Sequence, residues 1–180
     1  MDFEQTEIPE VILVKPTVIE DHRGYFMESY HIDKFNMSGI DCTFVQDNHV
    51  KSVQNILRGL HFQVKYPQAK LLRCLQGKVF DVAIDIRQDS PFFGKWVGEE
   101  LSEDNKHQLF IPQGFAHGYY VMSETAEIAY KCSEIYHPED EQGIRWDDPD
   151  IGIEWPHKNP ILSKKDCQLN YLNDLLIDIK

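Results

Sequence analysis

Apolar and polar positions in this chain change places mostly every second residue, in short runs cut by turns. The clearest run is Lys78-Val-Phe-Asp-Val-Ala-Ile-Asp-Ile86, where Phe80, Val82, Ile84 and Ile86 alternate with Asp81, Ala83 and Asp85. That is the pattern of a strand with one apolar and one polar face. Paired carboxylates two apart can suggest acid/base work, but the polar face is expected in solvent, or with Asp85 paired to Arg87. Further extended runs are Val11–Val14 and Thr17–Ile19, read as a strand pair leading into a turn over Glu20–Gly24, then Tyr25–Met27 and Cys42–Asn48. Gly94–Val97, Gln108–Ile111, His117–Val121 and Ala126–Cys132 continue the series. Strands at such short, turn-bounded intervals predict an antiparallel sandwich or barrel. Strand–helix alternation and a glycine-rich phosphate loop are both missing, which argues against a dinucleotide fold. Helical spacing occurs at Ile32, Phe35 and Met37, closed by Ser38-Gly39, and again at Leu169, Leu172, Leu175, Leu176 and Ile179. The second set predicts a short C-terminal helix packed on the barrel.

Composition narrows this to one domain. With 180 residues, 42% of them hydrophobic, the chain can bury a good core as a single unit over 1–180. A formal charge of −12 disfavours nucleic acid or an anionic membrane as partner. It leaves room for a local cationic pocket that takes a phosphate. Cys42, Cys74, Cys132 and Cys167 form no Cys-x-x-Cys pair, and no signal peptide or apolar span is visible, so a reduced, cytoplasmic protein is expected.

The chemistry concentrates in Ile56-Leu-Arg-Gly-Leu-His-Phe-Gln-Val-Lys-Tyr-Pro-Gln-Ala-Lys-Leu-Leu-Arg73. Arg58 can hold an anion, His61 can exchange a proton near neutral pH, and Lys70 can steady negative charge developing on an oxygen. Taken singly these are a packed histidine and two surface cations. Two apolar runs around Lys-Tyr-Pro predict a hairpin that returns Lys70 beside His61. Regular alternation would put Arg58 and His61 on opposite faces of their strand. If both serve one site, the strand must bulge, and Gly59 is the place for it. Gln46 and Asn48 share one face of their strand and offer amide contacts.

His61-Phe62-Gln63 and the later Pro112-Gln-Gly-Phe-Ala-His117 resemble remnants of the metal motifs of cupin jelly rolls. The resemblance implies an all-β, cupin-like antiparallel jelly-roll barrel with a few short helices, one of them C-terminal. Two histidines and an amide make a poor divalent site, so no metal is expected. His61 and His117 are then free to face an organic substrate.

A more specific resemblance covers nearly the whole chain. Asp21-His-Arg-Gly-Tyr-Phe26, Phe44-Val-Gln-Asp-Asn48, Leu57-Arg-Gly-Leu-His-Phe-Gln63, Pro67-Gln-Ala-Lys70, Val79-Phe-Asp-Val-Ala-Ile-Asp-Ile-Arg87, Ile111-Pro-Gln-Gly-Phe-Ala-His-Gly118, Tyr130-Lys-Cys-Ser-Glu-Ile-Tyr136, Trp146-Asp-Asp-Pro149 and Leu162-Ser-Lys-Lys-Asp166 are similar, in order, to the motifs of the dTDP-4-dehydrorhamnose 3,5-epimerases. The resemblance implies inversion of C3 and C5 of a nucleotide-linked 4-keto-6-deoxyhexose on the route to activated L-rhamnose, with no metal or redox cofactor. By similarity His61 is the base and Asp166 its orienting partner, Lys70 holds the enolate oxygen, and Tyr130 is the acid. Arg23, Arg58 and His117 match positions that contact the diphosphate or nearby sugar oxygens. Glu28, Gln46 and Asn48 match contacts to the base and deoxyribose, and Phe26 and Tyr136 are placed to stack on thymine. Glu141 and Lys165 match further binding contacts. The segment of Arg23 and Phe26 is expected to cross to a second subunit, giving a homodimer. Relatives on this scaffold epimerise one carbon only or isomerise the keto sugar, and a silent sugar-nucleotide-binding barrel is the alternative from another class.

Overall fold

The computed structural model describes residues 1–175 of the chain. Its strands are β1 (Asp2–Gln5), β2 (Ile12–Lys15), β3 (Val18–Asp21), β4 (Gly24–Met27), β5 (Gln46–Val53), β6 (Leu57–Gln63), β7 (Lys70–Gln76), β8 (Lys78–Asp85), β9 (Trp96–Ser102), β10 (Gln108–Ile111), β11 (Phe115–Val121), β12 (Thr125–Cys132) and β13 (Glu141–Gly143). One six-stranded sheet runs β1-β2-β10-β7-β12-β5 and a five-stranded sheet runs β13-β6-β11-β8-β9, with β3 and β4 as a separate hairpin. Every pairing between named strands is antiparallel. The main core lies between the sheets: Leu13, Leu72, Leu109 and Ile128 of the larger pack against Val79, Val97, Leu101 and Val121 of the smaller. This is the antiparallel sandwich that the strand rhythm predicts, with two facing sheets not closed into a barrel, and it is compatible with the jelly roll that the cupin resemblance implies. The expected helix forms as α1 (Ile32–Met37), with Ser38 as its C-cap and Gly39 at φ 90° just beyond.

Four expectations change. First, β2 pairs with β1 and β10, not with β3, whose partner is β4. Second, β6 and β7 do not form a hairpin; they lie in opposing sheets. The link between them is fastened elsewhere. Asp140 accepts from the backbone N–H of Lys65 and Tyr66, and Gln63 donates to the carbonyls of Tyr66 and Ile135. Lys70 therefore faces His61 from the other sheet.

Third, the Asp81 and Asp85 face of β8 is not solvated, since both residues are fully buried. The Phe80, Val82, Ile84 and Ile86 face points the other way, into a second cluster with Ile144, Ile151, Trp155 and Leu172 from the C-terminal segment. With both faces of the strand covered, the carboxylates need partners. Asp85 takes Arg87 at 2.6 Å, as one of the sequence readings has it.

Fourth, the C-terminal segment is not one α-helix. It makes 3-10 turns at Asp166–Gln168, between parallel bridges that join Ile161 to Ile56 and Asn170 to Ile144, and at Leu172–Asp174, just after the second bridge. Backbone committed to bridges cannot also close helical hydrogen bonds. Leu172 is buried and its N–H donates to Asp148 at 2.7 Å; Leu176 and Ile179 lie outside the described residues. Among the described residues, no helix is long and apolar enough to cross a membrane.

The bulge falls where the sequence places it. His61 pairs with His117 and Arg58 with Tyr119, so three steps along β6 match two along β11. Gly59 sits at φ 123°, and a Cβ there would stand 2.5 Å from Gly118 Cα and 2.7 Å from the His117 carbonyl. Both neighbours are backbone and cannot move aside cheaply. Gly59→Ala should therefore destabilise the fold by roughly 3–5 kcal/mol, read as a lowered midpoint in urea unfolding. A midpoint within error of the parent would mean that the backbone relaxes freely there.

Candidate active site between the two sheets

The bulge turns Arg58 and His61 to the same side of β6, and both line a cavity of about 560 Å³ between the sheets. That size suits a small organic ligand. The five-stranded sheet contributes Arg58, His61, His117, Tyr119 and Glu141. The six-stranded sheet contributes Gln46, Asn48, Lys70, Tyr130 and Cys132, and the loops add Tyr136, Lys165 and Asp166.

His61 is set by the C-terminal segment. The bridge at Ile161 and the Asn170 carbonyl, which accepts from Arg145 N–H, hold the chain across β6 so that Asp166 meets the ring. His61 Nε2 donates to Asp166 Oδ1 at 2.7 Å, and Asp166 is only 4% exposed. Burial alone would raise the Asp166 carboxyl, but the hydrogen bonds with His61 and Ser163 hold it below its ordinary value. It stays anionic at neutral pH and fixes the tautomer with Nδ1 as the open, proton-accepting nitrogen. Glu141 Oε1 lies 3.9 Å from that Nδ1; its other oxygen accepts from Tyr136 and pairs with Lys165.

His117 is built in the same way. Its Nε2 donates to both oxygens of Asp81 at 3.1 and 3.0 Å. Burial pulls the imidazole below its ordinary value against the opposing Asp81 charge, which favours a neutral ring. Asp81 is a partner of a site residue that the sequence leaves in solvent, and Tyr119 and Cys132 line the cavity without any sequence signal. The signal of Asp81 was present in the paired carboxylates of β8, but the covered outer face was not visible.

The opposite wall carries two groups without an assigned partner. Neither Lys70 Nζ nor the Tyr130 hydroxyl has a hydrogen-bond partner among the described residues. Burial lowers the Lys70 ammonium, opposed by Cys132, Glu141 and Asp81. Burial, with Cys132 and Tyr119 nearby, pushes Tyr130 up to about 12, so the phenol keeps its proton at neutral pH. A cation and a proton donor thus face an imidazole base across the cavity.

Gln46 donates to Asn48 at 3.0 Å and accepts from Tyr136 N–H, so these three residues form one polar wall. Arg23, Phe26 and Glu28 lie elsewhere, on and just after the β3–β4 hairpin and outside the cavity of their own chain. Arg23 pairs with Asp21, Glu28 with Lys34, and Phe26 is 69% exposed. Gln63, the amide in the cupin-like remnant, donates to loop carbonyls and accepts from His137 N–H. Among the described residues no group of three or more His, Cys, Asp or Glu side chains is placed to hold a metal ion, so the cupin metal site does not fit these residues.

Residues 5–174 match the family model described as dTDP-4-dehydrorhamnose 3,5-epimerase. The chain belongs to the dTDP-4-dehydrorhamnose 3,5-epimerase family. It is 54% identical over 168 residues to the dTDP-4-dehydrorhamnose 3,5-epimerase of Shigella flexneri, covering 92% of this chain and 93% of that protein. Among solved structures it is similar to the family's Legionella pneumophila 3,5-epimerase in complex with dTDP-4-keto-L-rhamnose, with a TM-score of 0.94 and 46% identity over 97% of this chain and 94% of that one. The Bacillus anthracis 3,5-epimerase with TDP and pyrophosphate bound gives a TM-score of 0.92 and 39% identity over 94% and 98%.

Proposed function

We propose that this protein converts dTDP-4-dehydro-6-deoxy-D-glucose to dTDP-4-dehydro-L-rhamnose by inverting C3 and C5, each through an enolate. The observation that supports this is that His61 on β6 stands across the cavity from Lys70 on β7 and Tyr130 on β12, in the opposing sheet. Both carbons are alpha to the C4 ketone. His61 Nδ1 takes the proton, the electron pair of the C–H bond moves onto the ketone oxygen, and the Lys70 ammonium stabilises the resulting enolate. Tyr130 then gives its phenolic proton to C5 from the other face and is restored from solvent, C3 takes its new proton from solvent water, and His61 releases to solvent the proton it has taken before it abstracts the next. Asp166 holds the His61 ring and balances the imidazolium.

Arg58 and His117 are assigned to the diphosphate or adjacent sugar oxygens, Gln46 and Asn48 to the thymidine, and Tyr136 to a stacking contact on thymine. Glu141 and Lys165 complete the mouth. Arg23, Phe26 and Glu28 are read as serving the cavity of a second copy in a cytoplasmic homodimer, which accounts for an exposed aromatic on a hairpin remote from its own site. No metal or redox cofactor is assigned, because α-deprotonation needs only base, acid and oxyanion partner.

The test is NMR of the keto-sugar nucleotide in deuterated water with exhaustively chelated enzyme. Deuterium should enter C3 and C5 with inversion at both. Exchange at one carbon alone would make this a single-site epimerase, and turnover restored only by a divalent ion would overturn the metal-free assignment.

A further inference from the structure

Arg58 is held in an uncommon way for a cation in so acidic a protein. Its Nε donates to the Ser52 hydroxyl at 3.1 Å, and its terminal nitrogens have no protein partner among the described residues. No carboxylate pairs with it there. Ser52 is 5% exposed on β5, outside the cavity lining, so it acts on Arg58 from behind. A carboxylate in this place would neutralise the guanidinium, whereas a hydroxyl orients it and leaves its full charge for a ligand.

A second observation falls at the same point. The buried Tyr119 hydroxyl has no hydrogen-bond partner among the described residues. The Ser52 hydroxyl and the Arg58 guanidinium both act on this phenol, each opposing the upward pull of burial, although the Ser52 contact falls outside ordinary hydrogen-bond geometry. Buried orphan hydroxyls are uncommon and call for an explanation.

The geometry points to Ser52 as a positioning residue for the anion-binding edge of Arg58, with the nearby Tyr119 hydroxyl as a reserve acceptor. This rests on the assignment of Arg58 to the diphosphate. Ser52 fixes the direction of the guanidinium plane, so both terminal nitrogens enter the cavity together and can take two oxygens of one anion. Tyr119 can accept from Nε when the side chain shifts to meet its ligand. An arginine without either oxygen would sample several rotamers, and binding would bear the cost of ordering it.

The test is calorimetric binding of dTDP, with steady-state kinetics, to the full-length parent, Ser52→Ala, Ser52→Ala/Tyr119→Phe, Arg58→Ala and Ser52→Ala/Arg58→Ala. Ser52→Ala should weaken dTDP binding and raise KM by about five- to tenfold with kcat within about twofold of the parent. Adding Tyr119→Phe should deepen the loss severalfold, and Ser52→Ala should cost nothing further once Arg58 is alanine. Parent-like affinity in Ser52→Ala/Tyr119→Phe, or a loss that adds to that of Arg58→Ala, would overturn the positioning role and leave Arg58 as the diphosphate ligand. Parent-like affinity in Arg58→Ala would overturn the assignment beneath it.

Discussion

In the His61→Ala protein, exchange of the C3 and C5 protons with solvent should fall together by at least about a thousandfold, the upper part of what a positioned general base contributes. One imidazole nitrogen faces the cavity, and its partner nitrogen is tied to Asp166 at 2.7 Å. Lys70 and His117 cannot take over. The first is needed as a cation, and the second is assigned to the diphosphate or adjacent sugar oxygens, on the same sheet as His61. The variant strands the buried Asp166 carboxylate, at a cost of about 1–3 kcal/mol in stability, so folding has to be checked by thermal melting alongside. Affinity for dTDP should survive, because it is assigned to Arg58, His117, Gln46 and Asn48. Exchange at the parent rate by a folded His61→Ala protein would move the base elsewhere.

Local signals in the sequence carry far. The alternation of Phe80, Val82, Ile84 and Ile86 identifies β8, and the glycine between Arg58 and His61 locates the bulge that gathers both into one cavity. What alternation cannot say is what covers each face. Asp81 reads as solvated because the chain that buries the opposite face, from Ile144 to Leu172, is distant in sequence. Pairing is equally non-local. Lys-Tyr-Pro has the residues of a tight turn, but Asp140 and Gln63 anchor it to the β12–β13 connection, and the strands on either side enter different sheets. The predicted meeting of Lys70 and His61 therefore survives in another form, as opposition across a cavity. Leucine spacing in the C-terminal segment suggests a helix because it records which side is apolar, whereas the backbone there is spent on bridges and on delivering Asp166. Ser52 and Tyr119 carry no motif; only the direction of one hydrogen bond and the absence of another single them out.

Opposition across the cavity leads to the second large effect. The Tyr130→Phe variant keeps the ring that packs on the main core and removes only a hydroxyl without a hydrogen-bond partner among the described residues, so stability should change by less than about 1 kcal/mol. His61 can still remove the C5 proton and return it to the same face. Inversion needs a donor on the second face, and the wall opposite His61 then holds no phenol. Production of the C5-inverted sugar should fall by about a hundredfold or more.

The decisive measurement follows deuterium at C5 and the configuration of C5 in one NMR time course with Tyr130→Phe in deuterated water. The expected record is label entering C5 with retention while the inverted product stays near the detection limit. Inversion of C5 at the parent rate would contradict a two-walled mechanism and return Tyr130 to the role of a packing residue.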